Sequence, residues 1–251
     1  RFTAVSAEIL SRGHTTIPPI SDTSTDCNVF ASHDGIGMRP SGGIVTEDER
    51  QSLVQKVLHN GGRVSMKLNP DGSQTVYELN INYLDALANG EEIDQPAVVA
   101  AKGLAAHSIL CSVMGIPAIY YHSLFGSSLD MVGMKASGIK RRINRETLNA
   151  EQLIHELATD ERRHTMFNGI KRMLAIRSEH QAFSPYGPQH VERLDSRVFA
   201  VRRGMGTEDE ILCIANVTDQ QVELPTGSGV DILTAQIHQG MTRPAYGFAW
   251  S

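Results

Sequence analysis

The chain has 251 residues, 41% of them hydrophobic, which is enough for one large domain or two smaller ones with proper cores and excludes global disorder. Twenty-three basic against 28 acidic residues leave a formal charge of -5, so no overall positive field recruits nucleic acid or an anionic membrane, and a small neutral or anionic ligand fits better. Residues 1–13 read as a short helical stretch closed by Gly13, and TTIPPISDTST as a Pro/Ser/Thr loop. The run DCNVFASHD then reads as a strand that ends in His33 and Asp34, with Gly35 and Gly37 directly behind. Asp-Gly is a turn former, so a turn after a buried strand is one explanation. A catalytic loop is the other, because polar residues at the C-terminal ends of parallel strands line the active sites of α/β folds.

Within residues 38–95, Thr46 opens the helix TEDERQSLVQKVLHN, with Glu49 at capping-box spacing. VSMKLN and TVYELN alternate apolar and polar residues around Asn69-Pro70-Asp71-Gly72, which predicts a hairpin and, with the helix, a small inserted subdomain. DQPAVVAAKGLAAHSILCSVM predicts a helix with Pro96 near its start, Val98, Ala101, Leu104, Ala105 and Ile109 on one face, and an end at Gly115. GIPAIYYHSLFG reads as a buried strand, and helix followed by apolar strand is the α/β rhythm. Asn149 with Gln152 caps the helix NAEQLIHELA, and the next, HTMFNGIKRMLAIRSEH, turns Met166, Ile170, Met173 and Leu174 inward. From residue 184 the short runs HVERLDSRVFAVRR, EILCIANVT, QQVELP, VDILTAQ and YGFAWS predict a compact antiparallel all-β module.

Cys27, Cys111 and Cys213 are odd in number and widely spaced, which argues against a disulfide framework or a zinc site and points to a reduced, cytoplasmic setting. No apolar run reaches membrane-spanning length, and RFTAVSAEIL lacks a basic-then-hydrophobic signal layout. No metal-ligand spacing, Gly-rich phosphate loop or nucleotide fingerprint is found, so neither a metal nor a cofactor is predicted.

FASHDGIGMRP, GIPAIYYHSLFGS, the INR of GIKRRINRETL and the closing YGFAW, in that order, resemble the C-terminal half of the α-amylase superfamily of glycoside hydrolases. Within it they are similar to the sucrose phosphorylase branch, and YELNINY with HSLFGS is more similar to its glucosylglycerate phosphorylase relatives. The resemblance runs from about residue 20 to the end. It implies an α/β plus all-β fold: the C-terminal part of a (β/α)8 TIM barrel followed by an antiparallel β-sandwich. Residues 1–37 would carry strand seven, 38–95 an inserted subdomain after it, 96–183 helix seven, strand eight and helix eight, and 184–251 the β-sandwich. The implied activity is that of a retaining glycoside phosphorylase. Such an enzyme moves a glucosyl unit from a small α-glucoside, glucosylglycerate-like or sucrose-like, to inorganic phosphate through a covalent glucosyl-enzyme.

The resemblance also implies roles. His33 and Asp34 grip the glucosyl hydroxyls, Asp34 stabilises the oxocarbenium-like transition state, and the glycines let the backbone turn close to the sugar. Arg145 belongs in the glucose subsite, where its planar fork can hold hydroxyls and a carboxylate. Arg141 sits on the rim where phosphate or an anionic acceptor must be neutralised, and Tyr77 and Glu78 resemble the acceptor-side wall. Read without the resemblance, His33-Asp34 is a capped turn, Arg145 a solvated loop arginine, Tyr77 a hairpin aromatic and Glu78 a solvent-facing acid. Lys140 and Arg142 stay unassigned in their basic run, and Tyr120, Tyr121 and His122 end a strand as packing residues.

Arg193-Leu194-Asp195 imitates the family's Arg-x-Asp nucleophile but lies in the β-module, which makes Asp195 a strand or turn residue. The family's nucleophile aspartate and acid/base glutamate belong to strands four and five, and no motif here matches them. The expectation is therefore a chain inactive alone that folds stably only with the missing N-terminal half of the barrel, since two barrel strands leave open edges. A homo-oligomer is compatible with the sequence. A hydrolase or transglucosidase of the same superfamily and a non-catalytic carbohydrate-binding fragment are the other readings.

Overall fold

The computed structural model describes residues 16–17, 21, 23–41, 44–224, 228–238 and 240–251, so the helix expected over 1–13 lies outside the described residues. Strands β1 (Thr16–Ile17), β2 (Cys27–Val29) and β3 (Ile36–Gly37) precede helix α1 (Glu47–His59), the pair β4 (Arg63–Leu68) and β5 (Gln74–Asn80), and helices α2 (Tyr83–Leu87) and α3 (Pro96–Ser112). Next come β6 (Ile116–Ala118) and helices α4 (Tyr121–Leu124), α5 (Met131–Ser137), α6 (Ala150–Thr159) and α7 (Glu161–Glu179). The chain closes with β7 (Gln189–Val191), β8 (Val198–Arg203), β9 (Ile211–Asn216), β10 (Val222–Leu224), β11 (Gly229–Asp231), β12 (Gln236–His238), β13 (Met241–Arg243) and β14 (Phe248–Trp250). Packing divides the described chain into two compact units. One gathers the residues up to Val29, Ala101–Ala118 and Asn168–Ser251, and the other Phe30–Ala100 and Ile119–Phe167.

In the second unit the local signals act as the sequence predicts. The Thr46 side chain accepts from the Glu49 amide and the Glu49 carboxylate from the Thr46 amide, so α1 starts with two of its orphan donors satisfied. Leu53 and Val57 are its buried residues. The predicted hairpin forms, and its turn is closed by Asn69 N–H to Ser73 O at 2.8 Å and Gly72 N–H to Asn69 O at 3.0 Å, with Gly72 at φ +81°. β5 pairs on its other edge with β3, which makes a three-stranded antiparallel sheet in the order β3-β5-β4. The chain immediately behind Asp34 is thereby hydrogen-bonded to the β4–β5 hairpin. Leu79, Ile81, Leu84 and Leu87 are buried beneath it, and Phe30 stacks on Tyr83 with ring centroids 5.5 Å apart.

The first unit is built on a five-stranded sheet in the order β1-β7-β8-β9-β14, whose pairings are all antiparallel. The two-residue period of β8 and β9 splits their side chains between two apolar surroundings. Val198, Ala200, Leu212 and Ile214 pack with Val222 and Leu224 of β10. On the opposite face Arg203 donates to the Ser112 carbonyl at 2.9 Å, at the end of α3. Arg177 donates to the Cys111 and Gly115 carbonyls there too, so two cations complete the C-terminal end of a buried helix, where its dipole favours them. Trp250, fully buried, donates its indole N–H to Ser108 Oγ at 3.0 Å and rests 4.8 Å from Phe183.

Four expectations need correction. The strand expected to run to Asp34 ends at Val29, and the one expected through His122 ends at Ala118, after which Tyr121–Leu124 is helical. β2 and β6 pair in parallel over only three residues and are not buried here, with Val29 56% and Ile116 51% exposed. The Tyr120 carbonyl instead accepts the amides of Ser123 and Leu124, which turns the chain into a helix. Helix α3 shows no single buried stripe: Val99, Ala100, Ala106 and Leu110 are buried while Val98, Ala101 and Leu104 are half-buried, because the helix is enclosed nearly all round. On α7 Met166, Ile170 and Met173 face inward as predicted, but Leu174, one position round from Met173, is 37% exposed.

Candidate active site

The site lies within the second unit and is assembled by side chains from the short 3-10 turn Lys140–Asn144 and the residue after it. Buried Asn144 donates to the carbonyls of Ser32 at 2.7 Å and Asp34 at 3.1 Å. Arg145 donates through Nε to the His33 carbonyl at 2.7 Å. The three backbone carbonyls of the Ser-His-Asp stretch are thus taken by side chains rather than by a neighbouring strand. Ser32 Oγ accepts the Asp34 amide at 3.1 Å and completes the loop.

On this frame two guanidiniums converge on one carboxylate oxygen. Asp34 Oδ1 accepts a hydrogen bond from Arg145 Nη2 at 2.9 Å and is ion-paired with Arg141 Nη1 at 3.0 Å. His33 Nε2 lies 3.7 Å from the same oxygen, with its side chain 69% exposed. Among the described residues no contact engages Asp34 Oδ2, and the side chain is 41% exposed. The arrangement offers a fixed anionic acceptor beside an exposed imidazole and a guanidinium with donors to spare, which matches adjacent hydroxyls.

Glu78 belongs to the same cluster. It is 4% exposed on β5, so the reading as a solvent-facing acid does not hold, and it forms a two-point contact with Arg141 through Nε at 2.9 Å and through Nη2. That bond, before any other influence, raises the Arg141 pKa above its ordinary value. Tyr77, half-buried, is not brought onto Asp34 by any bond among the described residues. It is the extra residue of a β-bulge, since Ser65 pairs with Glu78 and Met66 with Val76, and its carbonyl accepts the Met38 amide at 2.9 Å. Lys140 donates to the Val64 carbonyl and Arg142 pairs with Asp130 at 3.0 Å, so these two cations have structural partners. Asp195 binds Arg197 through both its side-chain oxygens and holds the turn into β8, which fits the reading of it as a turn residue. The Arg197 bonds lower its pKa to about 2.

Two features escape the sequence reading. Asn144 anchors the loop and also accepts, through its backbone carbonyl, the hydroxyl of Tyr120 at 2.8 Å. Tyr120 therefore packs edge-on against Tyr121 and His122 but also braces the site, and its burial pushes its ionisation upward. The signal available was the asparagine within INR, whose amide carries donors and an acceptor at once. The second feature is Gly35. A Cβ there meets the Leu79 carbonyl oxygen at 2.3 Å, so the close approach of β5 by itself requires a glycine at this position.

We expect Gly35→Ala to force β3 off β5 and to destabilise the unit by about 1–3 kcal/mol, as other overpacking substitutions do. Urea unfolding of the variant in the protein that carries this segment checks it. A second expectation concerns acid. His122 is buried with Nδ1 2.9 Å from Ser127 Oγ, and burial, followed by the Arg163 cation, lowers its pKa from 6.5 to about 4. The folded form resists protonation, so the unfolded state binds more protons between those values and stability falls as pH drops from about 6.5 toward 4. Thermal midpoints across that range should decline less steeply in His122→Asn than in the parent.

No family model matches the chain. Over 231 residues it is 39% identical to the glucosylglycerate phosphorylase of Allomeiothermus silvanus, covering 92% of this chain and 41% of that one. Over 217 residues it is 33% identical to the glucosylglycerate phosphorylase of Escherichia coli, covering 85% of this chain and 38% of that one. The chain therefore spans about two fifths of the length of the curated relatives it matches. Its fold is similar to that in the crystal structure of sucrose 6F-phosphate phosphorylase from Thermoanaerobacter thermosaccharolyticum, with a TM-score of 0.69 at 18% identity, over 96% of this chain and 46% of that chain. The chain is thus similar to glucosylglycerate phosphorylases in sequence and to a sucrose 6F-phosphate phosphorylase in fold, and these similarities fit the C-terminal part of the sucrose phosphorylase branch.

Proposed function

We propose that this chain is part of a retaining glycoside phosphorylase that transfers a glucosyl unit from a small α-glucoside, glucosylglycerate-like or sucrose-like, to inorganic phosphate. The single observation that carries the reading is the meeting of Arg141 and Arg145 on Asp34 Oδ1 behind a strand of a parallel pair. In the first step a carboxylate nucleophile bonds to the anomeric carbon as the glycosidic bond breaks, and the leaving oxygen takes a proton from a carboxylic acid. In the second, a phosphate oxygen displaces the carboxylate and gives glucose 1-phosphate with retained configuration. Asp34 Oδ2 accepts from the sugar hydroxyls, and these bonds strengthen as positive charge grows on the ring. His33 and the unused donors of Arg145 hold neighbouring hydroxyls, Arg141 and the β5 segment with Tyr77 face the acceptor, and the enzyme is cytoplasmic.

The nucleophile and the acid/base come from a barrel half that this sequence does not contain, with β2 and β6 as strands seven and eight of a (β/α)8 barrel. Residues 38–95 are then an insertion after strand seven and residues 184–251 a β-sandwich. The exposed two-stranded parallel pair supports that reading, because parallel strands occur in sheets covered on both faces. Expressed alone, residues 1–251 should aggregate or melt without a cooperative transition; a monodisperse, cooperatively melting monomer overturns the dependence on a further segment.

Incubation of the full-length gene product with glucosylglycerate or sucrose, with and without phosphate, should give phosphate-dependent glucose 1-phosphate. Asp34→Asn should lower turnover by roughly 10²- to 10⁴-fold, the equivalent of several kcal/mol of transition-state hydrogen bonding. Phosphate-independent release of glucose identifies a hydrolase instead, and glucose binding without turnover a carbohydrate-binding protein.

A further inference from the structure

We infer that Glu78 is a positioning residue: it touches no substrate, and it holds Arg141 in the orientation that sets the guanidinium against Asp34 and keeps N–H groups for an anionic ligand. The inference rests on the proposed phosphorylase reading for the identity of that ligand but not for the geometry. Both Glu78 oxygens are engaged by protein, Oε1 with Arg141 Nε and Asn80 Nδ2, and Oε2 with Arg141 Nη2. Asn80 is fixed in turn, its Oδ1 accepting from Ser65 Oγ at 2.7 Å, and Ser65 is the residue opposite Glu78 across the hairpin. A buried carboxylate with its acceptors taken this way has little left to offer a ligand.

A guanidinium carries five N–H groups in a rigid plane. Glu78 takes two of them along the Nε/Nη2 edge, and Nη1 lies in an ion pair 3.0 Å from Asp34, on a side chain that is 38% exposed. The two-point contact fixes the plane, so the position of Nη1 on Asp34 follows from the position of Glu78. Glu78 also sets the charge of the cluster. Two carboxylates, Asp34 and Glu78, face two guanidiniums, Arg141 and Arg145, and the group is neutral while His33 is unprotonated. The inserted hairpin thereby reaches the candidate centre through one buried acid.

The test is a double-mutant cycle in the full-length gene product. Glu78→Gln keeps the shape and one acceptor but loses the charge-assisted pair, and it should lower kcat/KM for phosphorolysis by roughly 10- to 100-fold in the parent. In the Arg141→Ala background the same change should cost less than about twofold, because a residue acting through Arg141 has nothing left to act on. Arg141→Lys, which cannot fork between Glu78 and Asp34, should be nearly as impaired as Arg141→Ala. Equal losses from Glu78→Gln in both backgrounds overturn the inference and make Glu78 a substrate contact. If the parent makes no glucose 1-phosphate, the phosphorylase reading fails and the inference is decided by the crystal structure of Glu78→Gln. Separation of Arg141 Nη1 from Asp34 Oδ1 beyond hydrogen-bond distance supports it, and an undisturbed contact overturns it.

Discussion

The candidate site depends on a loop that makes its backbone hydrogen bonds to side chains. After Val29 the chain leaves the β ladder, and the carbonyls of Ser32, His33 and Asp34 are taken by Asn144 and Arg145 from far along the chain. Loop carbonyls without partners are costly, so the Asn-Arg pair fixes the loop and does so only when the 3-10 turn is in place. The same arginine then reaches the Asp34 side chain, so the group that holds the loop also supplies half of the charge that faces its carboxylate. Backbone geometry and electrostatics are therefore set by one residue, and Tyr120 secures that residue's neighbour from the other side.

Electrostatic balance imposes a second constraint. Arg141 and Arg145 both lie within about 3 Å of one oxygen, an arrangement that is repulsive between the cations unless enough negative charge lies close by. Asp34 alone leaves one positive charge over. Glu78 removes it, from a buried position where its desolvation is offset by a two-point contact. β3 and β5 supply the mechanical link, because Gly37 pairs with Glu78 while Gly35 lets β5 come close enough to do so.

What was legible in the sequence was mostly local. The Thr46 capping box, the hairpin about Asn69-Pro70-Asp71-Gly72 and the Asn149 cap depend on neighbours within a few positions, and all formed; short antiparallel strands also follow residue 184, although the run VDILTAQ turns between β11 and β12 instead of forming one strand. The pairing of His33-Asp34 with Arg145 was legible only through resemblance, since no periodicity relates residues so far apart. Features decided by distant packing were misread. β2 and β6 stop early because other groups claim the backbone beyond them, and α3 buries residues on several faces rather than along one stripe. Without the resemblance, which puts it on the acceptor-side wall, Glu78 reads as a surface acid because hairpins usually carry such residues outward, and nothing within the hairpin announces a partner on the 3-10 turn.

A neutral cluster also bears on the order of events in the proposed reaction. An uncompensated pair of arginines beside the sugar would attract phosphate before the glucosyl-enzyme exists, and would hold the departing glucose 1-phosphate afterwards. With Asp34 and Glu78 balancing both guanidiniums, an anion is met by the unused N–H groups of Arg141 and Arg145 and by His33, a side chain exposed enough to turn toward it. Binding of this kind is directional and modest, which suits a substrate that must both enter and leave by the same rim. Because the neutralising acid is carried by β5, a change in that hairpin alters the charge of the cluster without altering His33, Asp34 or Arg145.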